Sequence, residues 1–440
     1  MSNDFLVMNS EYMKKITVIL LLLVVSFPLF AQDTITNSVS LRKRNDNIST
    51  YHRSSWYNLL IFHNDQKYAD EILTTYRYRP QSDKFNDHSL PMDVVTTKGK
   101  KYAKFNKIDK FIMESDIAND LVAKWFNRND STGYCNMELI YRRGIEGATT
   151  ENVEMAELTK RGKSVLMDSG TDLIGNTFVL AHDIIYIDKG ERNKKTAKGI
   201  SGFGKFLKDL GEVVSEVTGD YTYSELGRSL NDLSDVTADV VDDFEGFRVK
   251  IQTHLYRLNW QHSDNDFFFE NYYLDENYYD EFKFQAWDTA NYTLTYVGTQ
   301  EAICGETVLK GRYDLSQLIK IVVYRTMDES VVKLQKNYEE FRIKEPIYKI
   351  EDGVVIAKIG LKEGITPDSK YEVLERIESA DGTSKYKRVG TLKPMADKIW
   401  DNRYMALEDG AVNSDLDGTY FKVTGGSDLY PGLLIREIKF

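Results

Sequence analysis

The hydrophobic pattern of this chain changes at Glu345 and Pro346, and this change limits the folds that are open to it. Before this point apolar residues recur at helical spacing over long segments. After it they alternate with polar residues in short runs, which are separated by Asp-Gly pairs. Proline cannot continue a helix, and short runs with frequent turns are typical of a small β-barrel or sandwich. We therefore predict an α/β domain at residues 32–345 and a small, barrel-like β domain at residues 346–440.

Helix and strand signals alternate in the first of these two domains. Strands rich in Val, Ile, Leu and Tyr are predicted at Phe178–Ile187 and Phe247–Trp260, and we expect them to pair. The clearest long helix is predicted at Leu315–Phe341, with a further strand at Tyr134–Tyr141 and a polar helix at Glu151–Arg161. Alternation of this kind indicates an α+β or α/β fold in which helices cover a mixed sheet.

A segment at about residues 190–245 interrupts this alternation with two stripes of apolar residues at helical spacing. We predict that it forms a helical hairpin inserted between the two pairing strands. A wide apolar stripe has to be covered, by its own domain, by a partner subunit or by an anionic membrane. The hairpin is therefore a candidate interaction surface. The residues proposed for that surface are Phe203, Phe206, Leu207, Leu210 and Val214.

The N-terminal segment has the features of a secretory signal peptide. Two lysines follow Met13 and precede the apolar run Ile16–Phe30, which is followed by the small residue Ala31. The run is about 15 residues long, which is shorter than the roughly 20 residues that a membrane-spanning helix needs. We expect residues 1–31 to be removed, with Met13 as the true start. The product is then exported to the periplasm or associates with the outer membrane, with at most peripheral membrane contact.

Composition excludes nucleic acid as a general partner, because a chain with a net charge of −11 lacks the excess of Lys and Arg that neutralises phosphates. One basic stretch, at residues 98–110, carries six lysines. It is interpreted as a solvated loop, or as a surface that meets anionic lipid headgroups or acidic polymers. Cys135 and Cys304 are the only two cysteines, and in an oxidising compartment they form either one disulfide or two buried free thiols.

Motifs for catalysis or cofactor binding are incomplete. Gly199–Lys205 has the glycine spacing of a phosphate-binding loop, but a charged segment precedes it and Phe206 replaces the Ser or Thr that binds magnesium. The six histidines lack metal-binding spacing. His182 and His254 would form a site if strand pairing brought them together, and otherwise they occupy polar positions on the exposed face of a sheet. We therefore predict no catalytic residue, no cofactor and no metal.

Residues 264–287 interleave aromatic and acidic side chains. Rings stack on sugars and paired carboxylates catalyse glycoside hydrolysis, so this segment is a candidate carbohydrate site. The alternative is a segment that covers a core and exposes its acids to solvent. Within it, the residues proposed for an interaction surface are Tyr272, Tyr273 and Trp287.

Two regions resemble known families. Gly360–Leu374, together with the strand Val389–Leu392, resembles the C-terminal β domain of flagellar assembly protein T, in which a Gly-containing turn introduces a strand. The α/β region with its insertion resembles the periplasmic domain of the curli secretion channel. The whole arrangement, with Ala31-Gln32 after the apolar run, resembles uncharacterised exported proteins of Bacteroidetes. The curli insertion is a pair of β-hairpins whereas the period here is helical, so the resemblance implies a scaffold or assembly role and transfers no catalytic residue.

These observations predict a non-enzymatic binding or assembly protein of the cell envelope, which contacts a protein partner or a second copy of itself. The alternative is a secreted carbohydrate-binding or carbohydrate-active protein that uses residues 264–287.

Overall fold

The fold is described by a computed structural model over residues 36–39, 54–80, 84–136, 174–187, 244–309, 313–378, 384–407, 410–426 and 428–438. The expected signal peptide, the helix predicted at Glu151–Arg161 and the predicted helical hairpin, up to residue 243, lie outside these ranges. Residues 37–440 form one compact unit, so the domain boundary predicted after residue 345 stays a prediction.

A mixed sheet dominates the first part of the described structure. Its strands are β1 (Thr36–Val39), β2 (Ser55–His63), β3 (Asn86–Asp87), β4 (Met92–Thr97), β5 (Thr177–Tyr186), β6 (Phe244–Leu258) and β7 (Leu294–Leu309). They lie in the order β1-β4-β2-β5-β6-β7, and β3 pairs with one end of β2. The neighbours β4, β2 and β5 are parallel, whereas β5, β6 and β7 are antiparallel. The predicted pairing of the two strands at 178–187 and 247–260 is confirmed.

One face of this sheet packs on two helices, α1 (Ala69–Arg77) and α6 (Leu315–Asn337). Sheet residues that alternate along the strands point at them, because side chains of period two share a face. A capping box at Asp314 begins α6. The helix ends four residues earlier than predicted, since a 3-10 turn at Glu339–Phe341 carries the ring of Phe341 into the core below the sheet.

The opposite face of the sheet carries α2 (Phe105–Glu114) and α3 (Ile117–Trp125). The indole of Trp125 donates a hydrogen bond of 2.6 Å to the Thr177 hydroxyl on β5, and the ring of Phe105 lies 5.3 Å from that of His254 on β6. Helices α4 (His262–Asn271) and α5 (Glu281–Ala286) follow β6. Because helices cover both faces, the central strands are almost wholly buried, as parallel strands usually are.

A closed antiparallel barrel forms the rest of the described structure. Its strands are β8 (Glu345–Glu351), β9 (Val354–Ala357), β10 (Tyr371–Glu378), β11 (Ser384–Pro394), β12 (Thr419–Gly426) and β13 (Leu434–Glu437), in the order β10-β11-β12-β9-β8-β13. Asp352 and Gly353 connect β8 to β9 with φ of 49° and 77°, the left-handed geometry that suits a two-residue hairpin. Inward side chains such as Val373 and Phe421 fill the barrel.

The predicted class, a mixed sheet with helices followed by a small all-β barrel, is therefore confirmed. The strand predicted at Tyr134–Tyr141 is described only as far as Asn136, and those first residues are irregular. No helix in the described ranges combines the length and the hydropathy that a bilayer crossing requires.

Candidate functional site

The segment between β6 and β7 holds the aromatic residues that stand out in the sequence, and we call residues 262–289 the aromatic platform. Its base is buried. The ring of Phe268 stacks on that of Phe126, at the end of α3, with 3.7 Å between their centroids. Tyr272 meets Trp287 edge to face at 5.4 Å. The first ring pair fixes the segment against the end of α3, and the second joins two parts of the segment to each other.

The top of the aromatic platform exposes several rings. Phe282 is 84% exposed, Tyr279 51%, Phe267 50% and Tyr278 47%. Carboxylates alternate with these rings along the segment, and the exposed ones are Asp266, Glu270, Glu276, Glu281 and Asp288. Large exposed rings concentrated in one segment make that segment a candidate interaction surface.

Two tyrosine hydroxyls on the aromatic platform donate hydrogen bonds to neighbouring carboxylates. Tyr279 bonds to Glu281 and Tyr273 to Asp275, each at 2.6 Å between oxygens. The bond to Tyr279 lowers the pKa of Glu281, and the bond to Tyr273 lowers the pKa of Asp275. Both carboxylates are therefore ionised at neutral pH, and the surface of the aromatic platform is negatively charged.

The residues that the sequence analysis proposed for an interaction surface differ in their exposure in the structure. Tyr272 is only 6% exposed and anchors the base of the aromatic platform, while Tyr273 and Trp287 are half-buried beside it. The rings that reach solvent are their neighbours in the same segment. The nominated residues of the helical hairpin, from Phe203 to Val214, lie outside the described ranges.

A second charged surface lies at the carboxyl edge of the parallel strands. We call it the lysine surface, and its members are Lys98, Lys100, Lys101, Lys104, Lys107 and Lys110, all of them exposed. Lys110 lies 3.8 Å from Glu114, one turn along α2. The other five form no ion pair with any carboxylate in the described part of the chain. The loop at residues 98–104, which we call the lysine loop, leads directly into α2.

The lysine loop is fixed to the sheet by a buried pair, His63 and Asp183. Neither side chain is exposed, and His63 Nε2 lies 2.7 Å from Asp183 Oδ1. His63 Nδ1 lies 2.8 Å from the carbonyl oxygen of Gly99, and Asp183 Oδ2 accepts the Ala103 N–H at 2.7 Å. Because a carbonyl only accepts, His63 Nδ1 is the donor in its contact with Gly99. On the solvent side, the Gly99 N–H donates to both carboxylate oxygens of Asp65, at 2.8 and 3.0 Å.

Sequence reasoning missed this pair, because the two residues lie 120 positions apart. A signal was nevertheless present: His63 ends an almost continuous apolar run, and Asp183 interrupts another. The two strands, β2 and β5, are parallel neighbours. The helix that follows β2 covers one face of the sheet and the helix that follows β4 covers the other, so the lysine loop lies where ligands usually bind in α/β sheets.

Neither sequence-based reading of His182 and His254 is correct. Their strands pair, but His182 is opposite Thr253 and His254 is opposite Ala181, so the two rings lie on opposite faces of the sheet. Both are also buried instead of lying on an exposed face. Burial lowers the pKa of His182 to about 3 and that of His254 to about 4. His182 bonds to Thr253 and Asn58, both at 2.9 Å.

The sequence left open whether the two cysteines form a disulfide. In the structure, Cys135 and Cys304 are both free thiols. Burial raises the pKa of each to about 11, so both are protonated at neutral pH and poor nucleophiles.

A cleft of about 600 Å³ lies between the second half of α6 and the barrel. Lys336 on the helix crosses it: its Nζ donates to the Gly364 carbonyl at 2.9 Å and lies 3.9 Å from a carboxylate oxygen of Glu437. On the barrel side, the Ser369 hydroxyl donates to Glu437 at 2.8 Å. The Lys336 contacts hold the helix against the barrel, so we interpret the cleft as a packing seam.

No family model matches the chain, and no curated protein matches it. A proposal for the function therefore has to be argued from the surfaces described above.

Proposed function

We propose that this protein is a non-enzymatic binding or assembly protein of the cell envelope, and that it contacts a protein partner through the aromatic platform. One observation carries the proposal. Four rings are about half exposed or more on a segment whose base is locked by stacked aromatic residues.

Exposed rings on a fixed base are suited to binding. Aromatic side chains are enriched in the cores of protein interfaces, since they offer a large contact area at a low entropic cost. The base of the aromatic platform holds the backbone in place before the partner arrives, which reduces the cost of ordering. The surrounding carboxylates favour a partner with a basic surface.

Two further observations support a binding role. The pair His63 and Asp183 is fully buried, and its polar atoms hold the lysine loop, which is a structural role. Export to the envelope is supported by the signal-peptide features at residues 1–31.

The experiment that tests the proposal is photo-cross-linking in the cell envelope. A photoreactive phenylalanine analogue at position 267 is expected to form one discrete protein adduct. The adduct is expected to disappear when Tyr279→Ser and Phe282→Ser are combined. The matched control combines Tyr430→Ser and Val412→Ser, whose parent residues are 51% and 83% exposed against 51% and 84% on the platform. An adduct that survives the platform variant, or is lost equally in the control, contradicts the proposal.

The second candidate is a secreted carbohydrate-binding protein, and the same surface favours it. The exposed ring of Phe282 lies in the segment where the Tyr279 hydroxyl and the Glu281 carboxylate offer polar contacts to sugar hydroxyls. Binding to a glycan array that is lost in the platform variant, without any protein adduct, would replace the first candidate with this one.

A further inference from the structure

The lysine surface and the aromatic platform carry opposite charges. Residues 98–110 contain six lysines and a single acid, Asp109, to which the Tyr256 hydroxyl donates at 3.2 Å. Residues 262–289 contain one lysine, Lys283, against eight acids. These acids are Asp264, Asp266, Glu270, Asp275, Glu276, Asp280, Glu281 and Asp288. In a chain with a net charge of −11, the acidic platform is complementary in charge to this basic stretch.

Over the described ranges, the one ion pair that involves either surface joins Lys110 to Glu114, 3.8 Å apart. The hydrogen bonds that the platform carboxylates accept come from nearby N–H and hydroxyl groups, such as the Phe282 N–H on Asp280 and the Tyr279 hydroxyl on Glu281. No ion pair joins the aromatic platform to the lysine surface over the ranges that the structure describes. Both surfaces are exposed, so both remain available to another molecule.

We propose that the platform of one copy docks on the lysine surface of a second copy of this chain, so that copies join head to tail. This inference rests on the proposed function, because it names the partner of the aromatic platform.

Ammonium groups bind to both components of the aromatic platform. They pair with carboxylates, and they are attracted to the faces of aromatic rings. The chain already contains such contacts, since Lys283 Nζ lies 5.3 Å from the centroid of the Tyr278 ring and Lys398 Nζ lies 4.9 Å from that of Tyr420. Exposed rings among carboxylates therefore recognise lysines better than carboxylates do alone.

The lysine surface is held in position before docking. The buried His63 and Asp183 fix the backbone of the lysine loop at Gly99 and Ala103, so only the side chains have to be ordered on contact. Asp65 also lies at this loop, and its carboxylate is occupied by the Gly99 N–H.

Two different surfaces meet in this contact, which makes it heterologous. A heterologous contact closes into a ring or continues as an open chain of copies. The overall negative charge of the two copies opposes association, but at physiological salt this repulsion is screened beyond about 8 Å. Exposed ion pairs are individually weak, so association is expected to depend on concentration and to weaken with added salt.

The test uses analytical ultracentrifugation of the chain purified as its host exports it. The lysine variant combines Lys100→Gln and Lys101→Gln, and the platform variant combines Tyr279→Ser and Phe282→Ser. Each alone is expected to associate about tenfold more weakly than the natural chain. A mixture of the two is expected to form a one-to-one dimer and to stop there, because one intact surface remains on each copy. The charge control combines Lys393→Gln and Lys422→Gln, an exposed cross-strand pair on the barrel, and is expected to associate normally.

Three results would overturn the head-to-tail inference. They are a natural chain that stays monomeric at low salt, a lysine variant that associates as well as the control, and a mixture that forms no dimer. Loss of the cellular adduct in the platform variant, together with a monomeric natural chain, would reject this inference and leave the proposed function standing. An adduct with the mass of two chains would support both.

Discussion

Acidification is expected to destabilise the sheet, because His182 is buried as a neutral ring. Burial lowers the pKa of this ring from 6.5 to about 3, with Arg79 and His254 as smaller contributions. In the unfolded chain the same ring takes up a proton near pH 6.5. Between these two values only the unfolded state is protonated, so stability is complete above about pH 6.5 and decreases as the pH falls towards 3.

The size of the effect follows from the two pKa values. At pH 5, about 1.5 units below the ordinary value, one such ring costs about 2 kcal/mol of the free energy of unfolding. His254, whose pKa is lowered to about 4 by burial, adds a cost of the same sign. Asp120 acts in the opposite direction, because partial desolvation and the neighbouring carboxylates of Asp116 and Asp130 raise its pKa to about 6, and its proton stabilises the folded state as the pH falls. The contribution of His182 therefore has to be isolated with a variant.

The variant is His182→Gln, which keeps a polar side chain between Asn58 and Thr253 but does not titrate. Urea unfolding is followed by hydrogen exchange in peptides from β5 and β6, at pH 7.5 and at pH 5. The stability of the variant relative to the natural chain is expected to rise by about 2 kcal/mol on acidification. The control is Ser330→Ala, which removes a hydrogen bond of 2.9 Å from the same network without changing a titratable group. A His182→Gln difference that is the same at both pH values would refute the argument.

Three further predictions concern packing, thiols and the lysine loop. Gly298→Ala is expected to destabilise the chain by about 1–3 kcal/mol, since a Cβ there would overlap the ring of Tyr338. Thermal melting measures this effect, and a melting temperature like that of the natural chain would contradict the prediction. Cys135 and Cys304 are expected to react with dithionitrobenzoate slowly in the native chain and to give two equivalents in urea, whereas a disulfide would give none. Asp183→Ala is expected to increase hydrogen exchange in the lysine loop strongly. Asp183→Asn is expected to increase it only slightly, because the Asn side-chain amide can still donate to His63 and accept from the loop. Equal increases in the two variants would disprove the role of the pair.

Sequence patterns predicted which segments form strands and helices better than they predicted the register in which the strands pair. The runs at 178–187 and 247–260 are rich in β-formers, and their pairing is correct. The register of that pairing is not written in either run, because it depends on the packing of α2 and α6 on the two faces. A shift of one residue would have changed the relative faces of His182 and His254. The histidine site that depended on this pairing, one of the two alternatives given for these residues, is absent for this reason.

In the candidate sites, too, the sequence indicated which segments matter, but not how their side chains are arranged. The aromatic segment was visible from its composition, but which rings anchor and which are exposed follows from tertiary packing on Phe126. The pair His63 and Asp183 was invisible, since no local spacing joins residues on two strands so far apart in sequence. The lysine stretch was visible, but its fixed backbone follows only from that pair.

The barrel has a consequence for how the chain is made. Its last strand in sequence, β13, lies between β8 and β10 and completes the ring of strands. Until Leu434–Glu437 have left the ribosome, β8 and β10 each present an unpaired edge, and such edges accept strands from other chains. A premature stop or a proteolytic cut in this short segment would therefore change a molecule without free barrel edges into an aggregation-prone one. We expect the main effect of such a loss to be aggregation and degradation of the chain in the cell, and not a small decrease in its melting temperature.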